Sequence, residues 1–239
     1  MSDQRTITEM FDDISPRYDF LNHLLSFHID KRWRRKASQW IALHHPTAIL
    51  DVATGTADLA IRLVKDNPSA NVIGVDLSEK MLEIGRRKIA KQRLEQHIQL
   101  QNADAARLPF SDDAFDAVTV AFGVRNFGNL TQGLREMVRV AKDGAAIAIL
   151  EFSHPTKGIV RGPYRCYSRR ILPFVGRIVS KHPSAYRYLP ESVKAFPDGE
   201  AFLQLLRDSG MAEAGMLRLN GGIATLYHAR VQKKPTSSQ

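Results

Sequence analysis

The chain has 239 residues, 44% of them hydrophobic and 25% charged, with a formal net charge of +9 and one cysteine, Cys166. That length fits one α/β domain with additions, since single cores begin to split at about 250–300 residues; the lone cysteine excludes an internal disulfide framework and a multi-cysteine zinc site. No apolar run approaches the ~20 residues that span a bilayer, and the polar start MSDQRTITEMFDD is unlike a signal peptide, so a reducing, cytoplasmic setting is expected.

Taken in chain order, residues up to Leu43 read as helical, with Phe11, Ile14, Tyr18, Leu21, Leu24 and Leu25 at near-helical spacing and a basic run, KRWRRK, at 31–36. Pro46 closes this portion. Strands at 48–53, 71–76, 98–101 and 115–121 then alternate with helices at 58–65, 79–93 and 130–141, Ser78 serving as a cap for the second helix. Asp143-Gly144 leads into a fifth strand at 145–152. Such alternation predicts a parallel, doubly wound sheet. From 153 to 197 six prolines break the pattern, yet the stretch is too rich in aromatic and aliphatic residues for a linker and reads as a folded insertion. A helix at 198–209 and two strands, 213–219 and 223–231, joined as a hairpin through Asn220-Gly221-Gly222, complete the sheet.

Ligands of such sheets bind beyond the carboxyl ends of the strands. There the segment FGVRNF, 122–127, places a fixed cation, Arg125, and an amide, Asn126, between the aromatic rings of Phe122 and Phe127, with Gly123 allowing close backbone approach. A cation and an amide beside an apolar wall suit an aromatic, oxygen-bearing substrate that must become an anion. After the first strand, LDVATGTADLA forms a tight turn in which Gly55 is the only glycine and Ala53 and Ala57 stand where glycines are usual. Asp76 ends the second strand, where an acid grips ribose hydroxyls in nucleotide folds, or else caps the following helix. Asn102-Ala103-Asp104-Ala105 follows the third strand, where an adenine edge would lie. Asp51, before the turn, would repel a pyrophosphate but suits the cationic amino-acid half of S-adenosylmethionine. The terminal hairpin also fits a methyltransferase sheet.

Several motifs together resemble the ubiquinone/menaquinone biosynthesis C-methyltransferase family. They are Tyr18-Asp19 and Asn22 through Ser26 to Trp33-Arg34, the turn containing Gly55 and Thr56, Leu108–Phe110, Phe122 to Asn126, Leu150–Ser153, and Tyr186 through Ser192. The resemblance spans nearly the whole chain. It implies a seven-stranded Rossmann-like α/β fold, S-adenosylmethionine as methyl donor without a metal, and a polyprenylated quinol as acceptor. Carried over by position, it implies cofactor contacts at Thr56, Asp76, Asp104 and Ala105. Ala57 for glycine in the turn, Ala121 for serine and His28 for glycine depart from the family pattern. The expected organisation is a helical lid at 1–45, a cofactor-binding core at 46–153, a basic aromatic insertion at 154–197, and core-completing elements at 198–232.

The expected reaction is methylation of a ring carbon, with Asp51, Gly55, Thr56, Asp76, Asp104 and Ala105 at the cofactor, Arg125 and Asn126 at the substrate oxygen, and Tyr18 and Asp19 as further catalytic candidates on the lid. FGVRNF lacks the prolines of an amino-methylating Asn/Asp-Pro-Pro-Tyr segment. Cys166, between Arg165 and Tyr167, reads as structural, His44-His45 as a solvated loop, and His154 as a strand-end histidine. Between His154 and Pro190 eight Lys and Arg residues occur with no Asp or Glu. Tyr167, Ile171, Phe174 and Ile178 interleave with them, which suits transient contact with the anionic inner face of a membrane. No nucleic acid is expected as a partner, and assembly into a homo-oligomer is left open. The rivals are an RNA-binding or RNA-methylating protein and a non-catalytic scaffold of the same fold.

Overall fold

The computed structural model describes residues 12, 28–153, 155, 188 and 191–233. Tyr18, Asp19, His154, Cys166 and most of the insertion at 154–197 lie outside them. The described elements are α1 (Ile29–Ala42), β1 (Ala48–Val52), α2 (Asp58–Asp66), β2 (Asn71–Asp76), α3 (Glu79–Lys91), β3 (Ile98–Asn102), β4 (Phe115–Ala121), a 3-10 turn (Val124–Asn126), α4 (Leu130–Val140), β5 (Ala141–Phe152), α5 (Glu200–Asp208), β6 (Met211–Leu219) and β7 (Ala224–Val231).

All seven strands form one sheet in the order β3-β2-β1-β4-β5-β7-β6. The strands β1 to β5 run parallel, and β7 enters antiparallel between β5 and β6. Parallel strands covered on both faces need nearly continuous apolar sequence, and Leu50, Val52, Val118, Val120, Ile147 and Ile149 are fully buried accordingly. One face packs on α1, α2 and Ile89 of α3 through Trp33, Ile41, Leu59 and Leu63. The other packs on α4 and α5 through Leu134, Met137, Phe202 and Leu206, around Tyr227.

Local chemistry sets the boundaries. Ser78 caps α3 by accepting from Met81 N (3.2 Å), and Asn129 caps α4 by accepting from Gln132 N (3.0 Å). Asn220, Gly221 and Gly222 all adopt positive φ in the β6–β7 turn, as a tight hairpin of this composition requires. Most boundaries fall within two residues of expectation, and the largest difference is at β5. β5 begins at Ala141 rather than 145, because Phe115 pairs with Ala141 before a register shift, and Asp143-Gly144 lies within the strand as that irregularity. The sheet reverses direction of growth between β1 and β4, and such a switch point opens a crevice at the carboxyl ends.

Candidate active site

The first wall of the crevice is the turn between β1 and α2. Ala53, Gly55 and Ala57 take φ of 52°, 55° and 65°. Two alanines therefore occupy left-handed positions that cost an L-residue about 1 kcal/mol each. The methyls have uses that offset this: the Ala57 side chain is fully buried against Gly85, and Ala53 Cβ fills the space beside Gly123. Gly55 is different. A Cβ built there meets nothing within 4 Å, so the turn presents bare backbone to open space.

Asp76 ties this turn to the next. Its Oδ2 accepts from Gly55 N (2.8 Å) and its Oδ1 from Ser78 N (2.9 Å). The bond from Ser78 N sets Asp76 at the start of α3, and each carboxylate oxygen keeps a second lone pair for a further donor. Burial pushes its pKa upward, against the backbone bonds that favour the charged form. Ser78 also donates to Asp12 Oδ1 (2.5 Å), which brings Asp12 to the same spot. Asp104 accepts from Ala106 N (2.9 Å) in the loop after β3, and both it and Ala105 are half-buried there, beside Asn102, whose amide donates to the carbonyls of Asp76 and Leu77.

Two cofactor candidates are placed differently from what their position in the sequence implied. The Asp51 carboxylate is enclosed, 1% exposed, and takes one hydroxyl on each oxygen, from Thr54 and Thr119 (both 2.7 Å). It can act on a ligand through its charge across the turn rather than by contact. Burial pushes its pKa up to about 6, with the two threonines and Arg34 opposing. The Thr56 hydroxyl is likewise buried and accepts from Lys88 Nζ (3.1 Å), so this position offers a ligand its backbone rather than its side chain.

The opposite wall follows β4. Phe122 holds a φ of 60°, an uncommon and costly state for a bulky side chain. Its ring stacks on Phe152 at the end of β5 (centroids 4.5 Å apart), and Trp33 of α1 packs on both at 6.1 and 6.2 Å. Phe127, expected in this wall, turns away: its ring fills the notch at Gly133 of α4, where a Cβ would lie 2.4 Å from it. Phe152 and Trp33 take its place. Two guanidiniums flank the stack, Arg34 over Phe122 (5.2 Å) and Arg125 over Phe152 (5.5 Å). Arg34 is paired with Asp30.

Arg125 is not a bare cation. Its Nη1 donates to Glu151 Oε1 (2.7 Å) and to the Phe122 carbonyl (2.5 Å), and the pair is buried, 5% and 0% exposed. Its Nε is buried with no partner among the described residues. Burial raises the Glu151 pKa, with Arg125 acting in the opposite sense. Asn126 sits at the end of the 3-10 turn, its Oδ1 accepting from the Tyr188 hydroxyl (2.9 Å). Sequence reasoning missed Glu151, Tyr188, Phe152 and Arg34 as parts of this rim, although all four fall in segments it had picked out as motifs. Among the described residues no group of three or more His, Cys, Asp and Glu could hold a metal ion.

A seven-stranded sheet in this order, with an open backbone turn after β1 and an acid at the end of β2, is the fold of the S-adenosylmethionine-dependent methyltransferases. Solved structures of that class superpose on it: one from Aquifex aeolicus (TM-score 0.56, 21% identity, 77% of this chain and 82% of that one) and one from Methanococcus maripaludis (0.63, 18%, 98% and 95%). The [4+2]-cyclase SpnF superposes as well (0.67, 14%, 95% and 96%), so at such identities the likeness carries the fold and not the chemistry. The chain belongs to the ubiE/COQ5 methyltransferase family, whose model matches residues 1–231. Similar curated proteins include the demethylmenaquinone methyltransferases of Thermus thermophilus (47% identical over 91% of this chain and 98% of that protein) and Bacteroides fragilis (44%, 93% and 91%). The ubiquinone/menaquinone biosynthesis C-methyltransferase UbiE of Geobacter sulfurreducens is 45% identical over 92% of this chain and 86% of its own length.

Proposed function

We propose that this protein transfers the methyl group of S-adenosylmethionine to a ring carbon of a polyprenylated hydroquinone. The observation that carries the reading is the 44–47% identity, over more than nine-tenths of the chain, to proteins named for that activity. The residues present fit the donor. Asp76 offers acceptors to a ribose, the bare turn at Gly55 admits close approach, Asp104 and Ala105 flank the adenine position, and the enclosed charge of Asp51 favours a cationic ligand. When bound, the cofactor supplies an electrophilic methyl group.

The chain's own residues then have two tasks. Phe122, Phe152 and Trp33 form an apolar surface against which an aromatic ring can lie and from which water is excluded. Arg125 and Asn126 face the oxygen that becomes a phenolate, where preset donors act on developing charge. Since Glu151 compensates Arg125, the field at that oxygen is that of an oriented pair, weaker than a lone cation's. Tyr18 and Asp19 remain candidates on the lid.

Labelled S-adenosylmethionine incubated with the enzyme and either lipid extract or total RNA tests the reading, followed by mass analysis of the product. Label in a quinol is expected; label only in RNA would make the RNA-methylating rival correct, and no label in either would favour the scaffold. Supplying naphthoquinols and benzoquinols separately identifies the ring.

Access to a prenylated substrate fits a cytoplasmic enzyme attached reversibly to the inner face of a membrane through the basic stretch at 157–187. No helix among the described residues is long and apolar enough to cross a bilayer. The outer face of α1 adds exposed Lys31, Arg32, Arg35 and Lys36. Each such cation contributes about 1 kcal/mol near an anionic surface, screened by salt. Sedimentation with anionic vesicles should therefore fall at high salt and in a protein carrying Arg165→Gln, Arg169→Gln and Arg170→Gln. Equally poor sedimentation of the wild type and this variant removes the membrane role.

A further inference from the structure

Asn126 and Tyr188 are 62 residues apart in sequence, and a hydrogen bond between their side chains joins the rim to the region 154–197. A primary amide has an acceptor end and a donor end. With Oδ1 of Asn126 held by the Tyr188 hydroxyl at 2.9 Å, the nitrogen must face the other way. Among the described residues no acceptor is seen for Asn126 Nδ2, and the residue is half-buried. The amide also stands on a fixed base, for Asn126 N donates to the Gly123 carbonyl (2.9 Å) within the 3-10 turn. Next to it, Arg125 is committed to Glu151 and the Phe122 carbonyl. Within Arg125 only Nη1 is committed among the described residues and Nε lies buried, so the donor of the rim whose direction a neighbour sets is the nitrogen of the Asn126 amide, held by the Tyr188 phenol.

We propose that Tyr188 is a positioning residue for methyl transfer: by donating to Asn126 Oδ1, it aims Asn126 Nδ2 at the ring oxygen beside the carbon that is methylated. The inference rests on the methyltransferase reading and adds to it a residue outside the expected site. As the ring hydroxyl loses its proton to water, negative charge grows on that oxygen; after the ring carbon has taken the methyl group, its own hydrogen leaves as a proton to water, which restores the aromatic ring, and the oxygen is reprotonated. A donor already aimed at it gains strength at that moment, which accelerates the step rather than merely tightening binding. An amide turned the other way would present a carbonyl to the same oxygen and repel it. Burial keeps the Tyr188 phenol protonated by raising its pKa, with the Arg125 charge opposing and the Glu151 charge assisting, so the donor persists at neutral pH.

The test compares the full-length wild type with Tyr188→Phe, Asn126→Ala, Asn126→Asp and the Tyr188→Phe/Asn126→Ala double variant. The probes are short-tailed demethylmenaquinol and labelled S-adenosylmethionine. Tyr188→Phe should lower kcat about tenfold, the worth of one hydrogen bond, with cofactor affinity unchanged. Asn126→Ala should lower it about thirtyfold, and the double variant should be no slower than Asn126→Ala, because no amide is left to orient. Asn126→Asp keeps an acceptor for Tyr188 but has no N–H, and should be as slow as Asn126→Ala. A wild-type rate in Tyr188→Phe overturns the proposal, as does a multiplicative loss of about 300-fold in the double variant. If Tyr188→Phe also lowers thermal stability, Asn126→Asp decides: turnover near wild type there refutes the role of the donor. A wild type inactive on the quinol would strike the functional reading itself, whereas an active one indifferent to Tyr188→Phe strikes this inference alone.

Discussion

Asp51→Asn probes the charge enclosed beneath the first turn. Burial pushes the Asp51 carboxyl from 3.8 up to about 6, although Thr54, Thr119 and Arg34 all favour the charged form. An acid whose folded-state pKa lies above its unfolded value supports folding most when protonated. Its contribution is therefore fully present below about 3.8 and is lost as pH rises through about 6. A rise of roughly two pH units corresponds to about 3 kcal/mol once the group is ionised. Asparagine keeps the shape. Its oxygen can accept from Thr54, while the Thr119 hydroxyl, already 3.4 Å from the Leu50 carbonyl, can turn to donate there and accept from the new amide. Urea unfolding across pH should show the variant equal to wild type near pH 4 and about 2–3 kcal/mol more stable at pH 7.5, or about 4–12 °C in Tm for a chain of this size. Calorimetry should show weaker S-adenosylmethionine binding, because the ionised carboxylate is what a cationic ligand gains from. A variant less stable than wild type at pH 7.5, or a difference indifferent to pH, would refute the electrostatic account.

Arg125→Ala leaves Glu151 buried without its partner and should cost about 3–5 kcal/mol of stability as well as turnover; Arg125→Met with Glu151→Leu should recover stability in thermal melts while remaining inactive. Gly123→Ala would set its Cβ 2.4 Å from that of Ala53 and should cost about 1–3 kcal/mol. Adding Ala53→Gly removes both the clash and the strain at φ 52°, so a double variant no more stable than Gly123→Ala would contradict the proposed contact. Asp76→Ala should weaken S-adenosylmethionine binding by a few kcal/mol in calorimetry, with no binding of NAD before or after.

The parts of this architecture legible in the sequence are those written in local patterns. Apolar runs bounded β1, β2 and β4, Ser78 announced α3, and Asn220-Gly221-Gly222 announced the hairpin. What escaped depends on partners distant in the chain. Arg125 reads as a free cation until Glu151, 26 residues on, is seen against it, and Asp51 reads as a carboxylate for a cationic ligand until Thr119 is seen bonded to it from β4. Phe127 has the spacing of a wall residue, but the notch at Gly133 decides its direction. The early start of β5 was hidden because Lys142-Asp143-Gly144 has turn composition, and only pairing with Phe115 makes it strand.

Trp33, which completes the aromatic wall, donates its indole N–H to Asn220 Oδ1 at 2.6 Å, across 187 residues of chain. At a synthesis rate of roughly 5–20 residues per second, its acceptor appears about 10–40 s after the tryptophan does. During that interval a large apolar ring has left the ribosome without the hairpin that will hold its polar edge. The polar edge of this wall therefore cannot be fixed until the β6–β7 turn has been made, and nascent chains cut short before Asn220 carry the β1–α2 turn beside an unfinished aromatic wall.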